Sequence, residues 1–389
     1  MTESDLRTLL LTAPVPGELE AQQRSWAVVR AGFRQREHVP WARRRWRPLI
    51  ALAVATAVVA AALTPPGRGL AERLREAVAP PAPEPLTLPA PGRLLVASET
   101  GAWVVQKDGS KRLLGAYEDA VWSPRGLFVG ATRGRTLVAL EPNGRVRWTL
   151  SHRTALSQPK WSPSGFRIAY RSGAALRVVA GDGTSDRLLM RSAGDAPPSW
   201  RPGSTHVLAF ADRRGRTNIV NTDSGSGVLA GTHVAAPARE FAWSSDGTLL
   251  LALLGERIQI HTAAGRRVRT IPTPAGQTAS NLAPAPEGRQ LAFTSYDAGT
   301  ATSSVLLADV GEAREPRTLF AGEGRFDGLA WSPDGRWLLL SWPDADQWVF
   351  LRAPDVRRVI TFSAVTAEFD PGGSGEGRFA RIVSWCCAG

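Results

Sequence analysis

Trp331-Ser332-Pro333-Asp334-Gly335, followed by Arg336-Trp337-Leu338-Leu339-Leu340, is a compact turn leading into an apolar strand. Pro333 suits the second position of a β-turn, and Gly335 suits a position needing positive φ. The chain repeats the device. Trp122-Ser123-Pro124-Arg125-Gly126, Trp161-Ser162-Pro163-Ser164-Gly165 and Trp243-Ser244-Ser245-Asp246-Gly247 are clear copies. Trp200-Arg201-Pro202-Gly203-Ser204 and Pro284-Ala285-Pro286-Glu287-Gly288 are eroded ones, and Phe369-Asp370-Pro371-Gly372-Gly373 reads as a seventh. Their spacings are 39, 39, 43, 41, 47 and 38 residues. Periods near 40 with several strands per unit mark the blades of a β-propeller.

Within a unit, one strand ends at the motif Trp and a second follows the Gly, as in Arg167–Tyr170 or Val207–Phe210. A third precedes an Asp/Gly or Asn/Gly turn, as in Leu137–Leu140. A fourth alternates arginine and apolar residues, as in Arg145–Leu150. Continuous apolar runs such as Leu249–Leu254 belong between neighbouring blades, whereas the alternation of Arg267–Ile271 has one wet side. The recurrent Trp is a flat filler for the gap between blades. Asp334 reads as a turn residue, because Arg125, Ser164 and Glu287 replace it in other copies.

The pattern Trp-Ser-Pro-Asp-Gly, then basic, apolar, Leu, apolar, resembles the WD40-like repeat of TolB-type β-propellers. It is also similar to the repeats found in prolyl-oligopeptidase-like peptidases. The resemblance covers residues 93–389 and implies an all-β propeller. Ser245 in place of Pro and Pro284 in place of Trp depart from the pattern in blades 4 and 5. Strands Leu94–Ser98, Trp103–Gln106 and Arg112–Leu114 have no motif before them, and Val365–Phe369 supplies a motif strand with no full blade after it. Joined, they make a seventh blade closed by both chain ends, with Phe379–Trp385 left over. Six blades plus terminal additions is the alternative.

Ahead of the repeats lie three segments. Residues 1–47 read as a helical head, expected in the cytosol. Leu19, Trp26, Val29 and Phe33 share one helix face over 17–37, which needs a cover: a partner protein, a membrane surface, or packing on itself. Residues 48–64 are uncharged, and counted from Trp46 they span about 28 Å as helix against a hydrocarbon core of about 30 Å. Arg43, Arg44, Arg45 and Arg47 precede that run, so the positive-inside rule puts the head in the cytoplasm and the propeller outside. A cleaved signal peptide is the rival, but its charged region would be unusually long. Residues 65–92 hold a short amphipathic turn and a Pro-rich, extended linker.

The formal charge of +12 invites a polyanion partner, but the basic residues are three lysines (Lys107, Lys111, Lys160) against 44 arginines, spread along the chain. That skew reads as the coding bias of a GC-rich bacterial genome, and no nucleic-acid partner is expected. No Gly-x-Ser-x-Gly elbow exists, so the peptidase likeness stops at the propeller. His38, His152, His206, His233 and His261 lack metal-ligand spacing, and Asp108 and Asp182 sit in hairpin turns rather than calcium loops. Cys386 and Cys387 are adjacent at the C-terminal end; a loose pair of thiols is the expectation, with a vicinal disulfide or an interchain link as alternatives. No catalytic residue, cofactor or metal site is therefore expected. Two functional readings remain. One is a membrane-anchored, extracytoplasmic propeller that binds a protein or other ligand. The other is a transmembrane regulator whose layout resembles anti-sigma factors, the 17–37 helix holding a sigma factor; the family's His-x-x-x-Cys-x-x-Cys motif is missing.

Overall fold

The computed structural model describes residues 86–387 except 204, 225–226, 233–236 and 371–377. The expected cytosolic helix with Leu19, Trp26, Val29 and Phe33, the 48–64 span and most of the linker lie outside the described residues. Among the described residues no helix is long and apolar enough to cross a membrane.

Seven four-stranded antiparallel sheets are formed, one per repeat. The innermost strands of blades 1 to 6 are Asp119–Trp122, Leu156–Trp161, Ser199–Trp200, Glu240–Trp243, Gln277–Pro284 and Asp327–Trp331. Blade 7 joins the chain ends: Arg381–Cys386 is its innermost strand, followed by Arg93–Ser98, Gly101–Val105 and Lys111–Gly115. Seven blades are present, and the six-bladed alternative is excluded.

The apolar run Trp337–Leu340 shows why inner strands lack polar alternation. Leu338 and Leu340 pack with Ala292 and Val305 of blade 5, while Trp337 and Leu339 pack with Leu94 and Val96 of blade 7. Both faces of the strand are buried, so both must be apolar. Each such side chain contributes roughly 1.5–3 kcal/mol when fully buried. The outermost strands have one wet side; Val146 and Arg147 are exposed where Trp148 and Leu150 are half-buried.

Closure differs from expectation in its details. Val365–Glu368 is a helical turn, not a strand, and Phe369 is a buried plug 5.2 Å from Trp348 and 5.6 Å from Trp103. Phe369–Gly373 has the composition of the motif, but the Gly- and Ser-rich residues after it offer nothing apolar to bury. The closing strand is the leftover segment. Arg381-Ile382-Val383-Ser384-Trp385-Cys386 alternates and pairs Arg93↔Cys386, Leu94↔Trp385 and Val96↔Ile382, with a bulge between. Trp385 is thus the seventh motif Trp, and Cys386-Cys387 stand where blade 6 has Ser332-Pro333. The end of the expected linker also belongs to the ring. Leu86, Leu88 and Ala90 are buried against blade 7, Leu88 donates its N–H to Lys107 O at 2.9 Å, and Trp385 Nε1 donates to Pro91 O at 3.1 Å. Gly92, at φ 111°, lets this segment pass close by: a Cβ there would sit 2.7 Å from Cys386 O.

Candidate functional site: the channel and its mouth

The repeat residues build the mouth of the ring. In blade 6, Ser332 N–H donates to Trp337 O (2.8 Å), Gly335 N–H to Ser332 O (2.9 Å) and Trp337 N–H to Ser332 Oγ (2.9 Å). Ser332 Oγ in turn donates to Asp334 Oδ1 at 2.5 Å, and Arg336 N–H reaches the same oxygen at 3.1 Å. Asp334 is therefore occupied within its own turn. Ser123, Ser162 and Ser244 form the same closed turn. Gly126, Gly165, Gly247, Gly288 and Gly335 all have φ between 65° and 80°, the left-handed conformation this turn requires. Pro333 approaches the next blade at Gly92 as Pro286 approaches Gly335.

Each motif indole packs on the preceding blade. Trp200, Trp243 and Trp331 donate Nε1–H to the carbonyls of Lys160 (2.8 Å), Ser199 (3.1 Å) and Ala283 (2.8 Å). Trp122 and Trp161 are equally buried, but their indole nitrogens have no partner. These tryptophans fill the seams between blades.

Polar and charged side chains gather instead on the channel side of the innermost strands. Along Asp119–Trp122 the even positions are buried between blades and the odd ones, Asp119 and Val121, are partly open to the channel. Lys160, Ser199 and Glu240 are partly open in the same way. Together with Arg239, Ser280, Asn281 and the Pro124, Pro163 and Pro197 rings, Lys160, Ser199 and Glu240 line a cavity of about 550 Å³. Two carboxylates bolt one blade to another. Asp119 Oδ2 accepts the Gln158 N–H (2.9 Å), and Glu240 Oε1 accepts the Leu282 N–H (2.8 Å). Both bonds reach strand bulges, where Gln158 and Asn281 take positive φ. Burial pushes the Glu240 carboxyl up to about 7, outweighing the Leu282 N–H bond and the Lys160 charge. Burial likewise pushes Lys160 below the usual lysine range, against the pull of Glu240 and Asp119. Both side chains are half-buried rather than fully enclosed.

Two polar clusters lie at blade seams. His206 Nε2 and Ser164 Oγ are 2.7 Å apart, and His206 Nδ1 contacts Asp223, which also pairs with Arg167 at 3.0 Å. The outline is that of a nucleophilic triad. Ser164 Oγ, however, also bonds Ser162 Oγ (3.0 Å) and accepts the Phe166 N–H (3.2 Å), so the group bolts blade 2 to blade 3. Burial would raise the Asp223 carboxyl, but the His206 bond and Arg167 hold it below the ordinary carboxylate value. In the second cluster Tyr170 donates to Asp186 at 2.6 Å, with Arg177 and His152 on the same carboxylate. Burial and Asp186 raise the Tyr170 phenol. His152 is tied into this seam; His233 lies outside the described residues. Sequence spacing gives no warning of either cluster, because their members come from different strands.

Cys386 is not part of a loose tail. It lies in the closing strand and is joined to Cys387 in a vicinal disulfide. The left-handed φ of Cys387 (58°) turns both sulfurs toward blade 1, onto the carbonyls of Ser123 (3.8 Å) and Pro124 (3.4 Å). Among the described residues no group of three or more His, Cys, Asp or Glu side chains is placed to hold a metal ion.

Sheet count, closure and motif geometry make this a seven-bladed β-propeller of WD40-like type. No family model and no curated protein matches the chain. Solved propellers do. The β-propeller domain of Myceliophteria thermophila Cps50 (Swd1) is 14% identical over 64% of this chain and 86% of its own, with a TM-score of 0.51. A chain of the Mitotic Checkpoint Complex is 19% identical over 70% and 96%, with a TM-score of 0.52. Kluyveromyces lactis Hsv2 is 14% identical over 68% and 90%, also at 0.52. At these identities the likeness is one of fold.

Proposed function

We propose that this chain is a protein-interaction module of TolB-like kind, without enzymatic activity, whose propeller docks a partner on the face carrying the motif turns. The supporting observation is apolar exposure at one repeat position. Leu127 and Phe166, each directly after the motif Gly, are 60% and 67% exposed on adjacent blades 1 and 2. The equivalent positions in blades 4, 5 and 6 are Thr248, Arg289 and Arg336. Large apolar groups left in water on neighbouring turns favour a partner that covers them. Pro124 and Pro163, on the same two turns, continue the surface into the cavity. Exposure on the outer strands, such as Val146 and Val268, is scattered by comparison.

In this reading the 48–64 segment anchors the propeller outside a bacterial cell membrane. A photo-crosslinking residue placed at Phe166 of the full chain in its native membrane should capture one discrete protein, and the same residue at Val268 should not. Capture from Val268 alone would sink the docking face. Protease added to spheroplasts should remove the propeller and spare the head; loss of the head first would reverse the orientation. If Phe166 captures nothing while a crosslinker at Trp26 captures a sigma factor, the regulator reading replaces this one.

A further inference from the structure

The channel lysine carries an inference beyond docking. Lys160 is one of three lysines in a chain with 44 arginines, and it alone lines the cavity. Lys107 is exposed on a turn, and Lys111 is paired with Glu368. Among the described residues the Lys160 side chain makes no hydrogen bond and no ion pair. The two carboxylates whose charge acts on it, Glu240 and Asp119, each give one oxygen to a backbone N–H, of Leu282 and Gln158. An arginine here would remain charged at any accessible pH; a lysine can shed its proton and act as a nucleophile.

We propose that Lys160 is a covalent capture site for small aldehydes or α-oxo acids, which enter the cavity and form an imine on its ε-amino group. The nitrogen lone pair attacks the carbonyl carbon, and the C=O π pair moves to oxygen. A proton passes from nitrogen to that oxygen to give a carbinolamine. The hydroxyl then leaves with a second proton as water while the C=N bond forms; amine and carbonyl compound give imine and water. Three features of the cavity suit this step. Enclosure by the ring favours the neutral amine over the ammonium, the Arg381 charge acts in the same direction, and Glu240 is a carboxyl able to give or take a proton near neutrality. The cavity volume admits a molecule of a few heavy atoms. Arg239, exposed at the cavity edge, offers a cation to the carboxylate of an oxo acid.

The low lysine count makes the test direct. Full-length protein is treated with glyoxylate and cyanoborohydride at pH 7, and modification at the three lysines is followed by peptide mass mapping. Lys160 should be carboxymethylated several-fold faster than Lys107, since enclosure favours the neutral, nucleophilic amine. The preference should vanish in urea, and Lys160→Arg should lose this modification while Lys107 and Lys111 react at unchanged rates. Modification of Lys160 no faster than of Lys107 in the folded protein overturns the proposal, whether the cause is access or charge.

Discussion

Blade 6 and blade 7 solve one packing problem with different materials. Both put a Trp at the end of the innermost strand against the preceding blade: Trp331 against blade 5 and Trp385 against blade 6, where it meets Phe350 edge-on at 5.8 Å. Blade 6 then makes the turn with Ser332, Pro333 and Asp334, all close in sequence. Blade 7 has Cys386 and Cys387 there, and its strand neighbour lies almost the whole domain away, at Arg93. The difference shows which parts of the repeat are indispensable. The indole and the strand pairing are kept; the Ser–Asp turn network is not. What holds the ring closed is antiparallel pairing of Arg381–Cys386 with Arg93–Ser98 plus the burial of Ile382 and Trp385.

The largest effect should come from removing that strand. A chain ending at Ala380 loses Ile382 and Trp385 from the core and leaves Arg93–Ser98 as an open sheet edge. Truncating one large buried aromatic alone costs about 3–5 kcal/mol, comparable with the whole stability of many domains, and an open edge recruits other chains. The truncated protein should unfold without a cooperative transition and elute as oligomers in size-exclusion chromatography. A monomer with an unchanged melting curve would show that closure rests elsewhere.

Sequence makes the blades readable for the same reason that it hides the closing strand and the channel. Trp122, Trp161, Trp243 and Trp331 recur because every inter-blade gap needs the same filler, and Leu249–Leu254 or Trp337–Leu340 are apolar because both faces are covered. Phe369–Gly373 imitates the motif in composition while Trp385 carries its packing, fifty-four residues after Trp331 and out of period. A fixed period therefore misplaces the seventh copy, although Arg381–Cys386 alternates as an inner strand should. The cavity is invisible for a different reason. Lys160, Glu240 and Asn281 belong to three blades, and only closure of the ring brings them to one space. The one local sign is the rarity of lysine, which coding bias explains for the chain as a whole but not for each lysine kept.

A smaller effect separates the mouth from the channel. The folded state holds the Glu240 proton up to about pH 7, against an unfolded value near 4.5. Between these values the folded chain binds more protons than the unfolded one, so this residue makes stability fall as pH rises from about 4.5 to 7, and makes no further change outside that window. Because Glu240 is only half-buried, the swing is on the order of 2 kcal/mol. Glu240→Gln should flatten that part of the profile, measured as urea midpoints at several pH values. Asp246→Asn in the mouth, by contrast, should leave the slope across the same window as it was, because the Ser244 and Thr248 bonds hold that carboxyl below the ordinary carboxylate value. An unchanged slope in the Glu240→Gln protein would place the titrating group elsewhere.

The finest comparison is between two indoles that share one position. Trp331 gives its N–H to Ala283 O at 2.8 Å, whereas the buried N–H of Trp122 has no acceptor. Trp→Phe removes similar ring volume in both places. At Trp331 it also leaves a buried carbonyl short of a donor, and at Trp122 it relieves an unmet donor. Trp331→Phe should therefore cost about 1 kcal/mol more than Trp122→Phe in urea denaturation at constant m-value. Equal costs would mean that the motif Trp acts through shape alone, and that the indole–carbonyl bond linking blade to blade adds nothing to the ring.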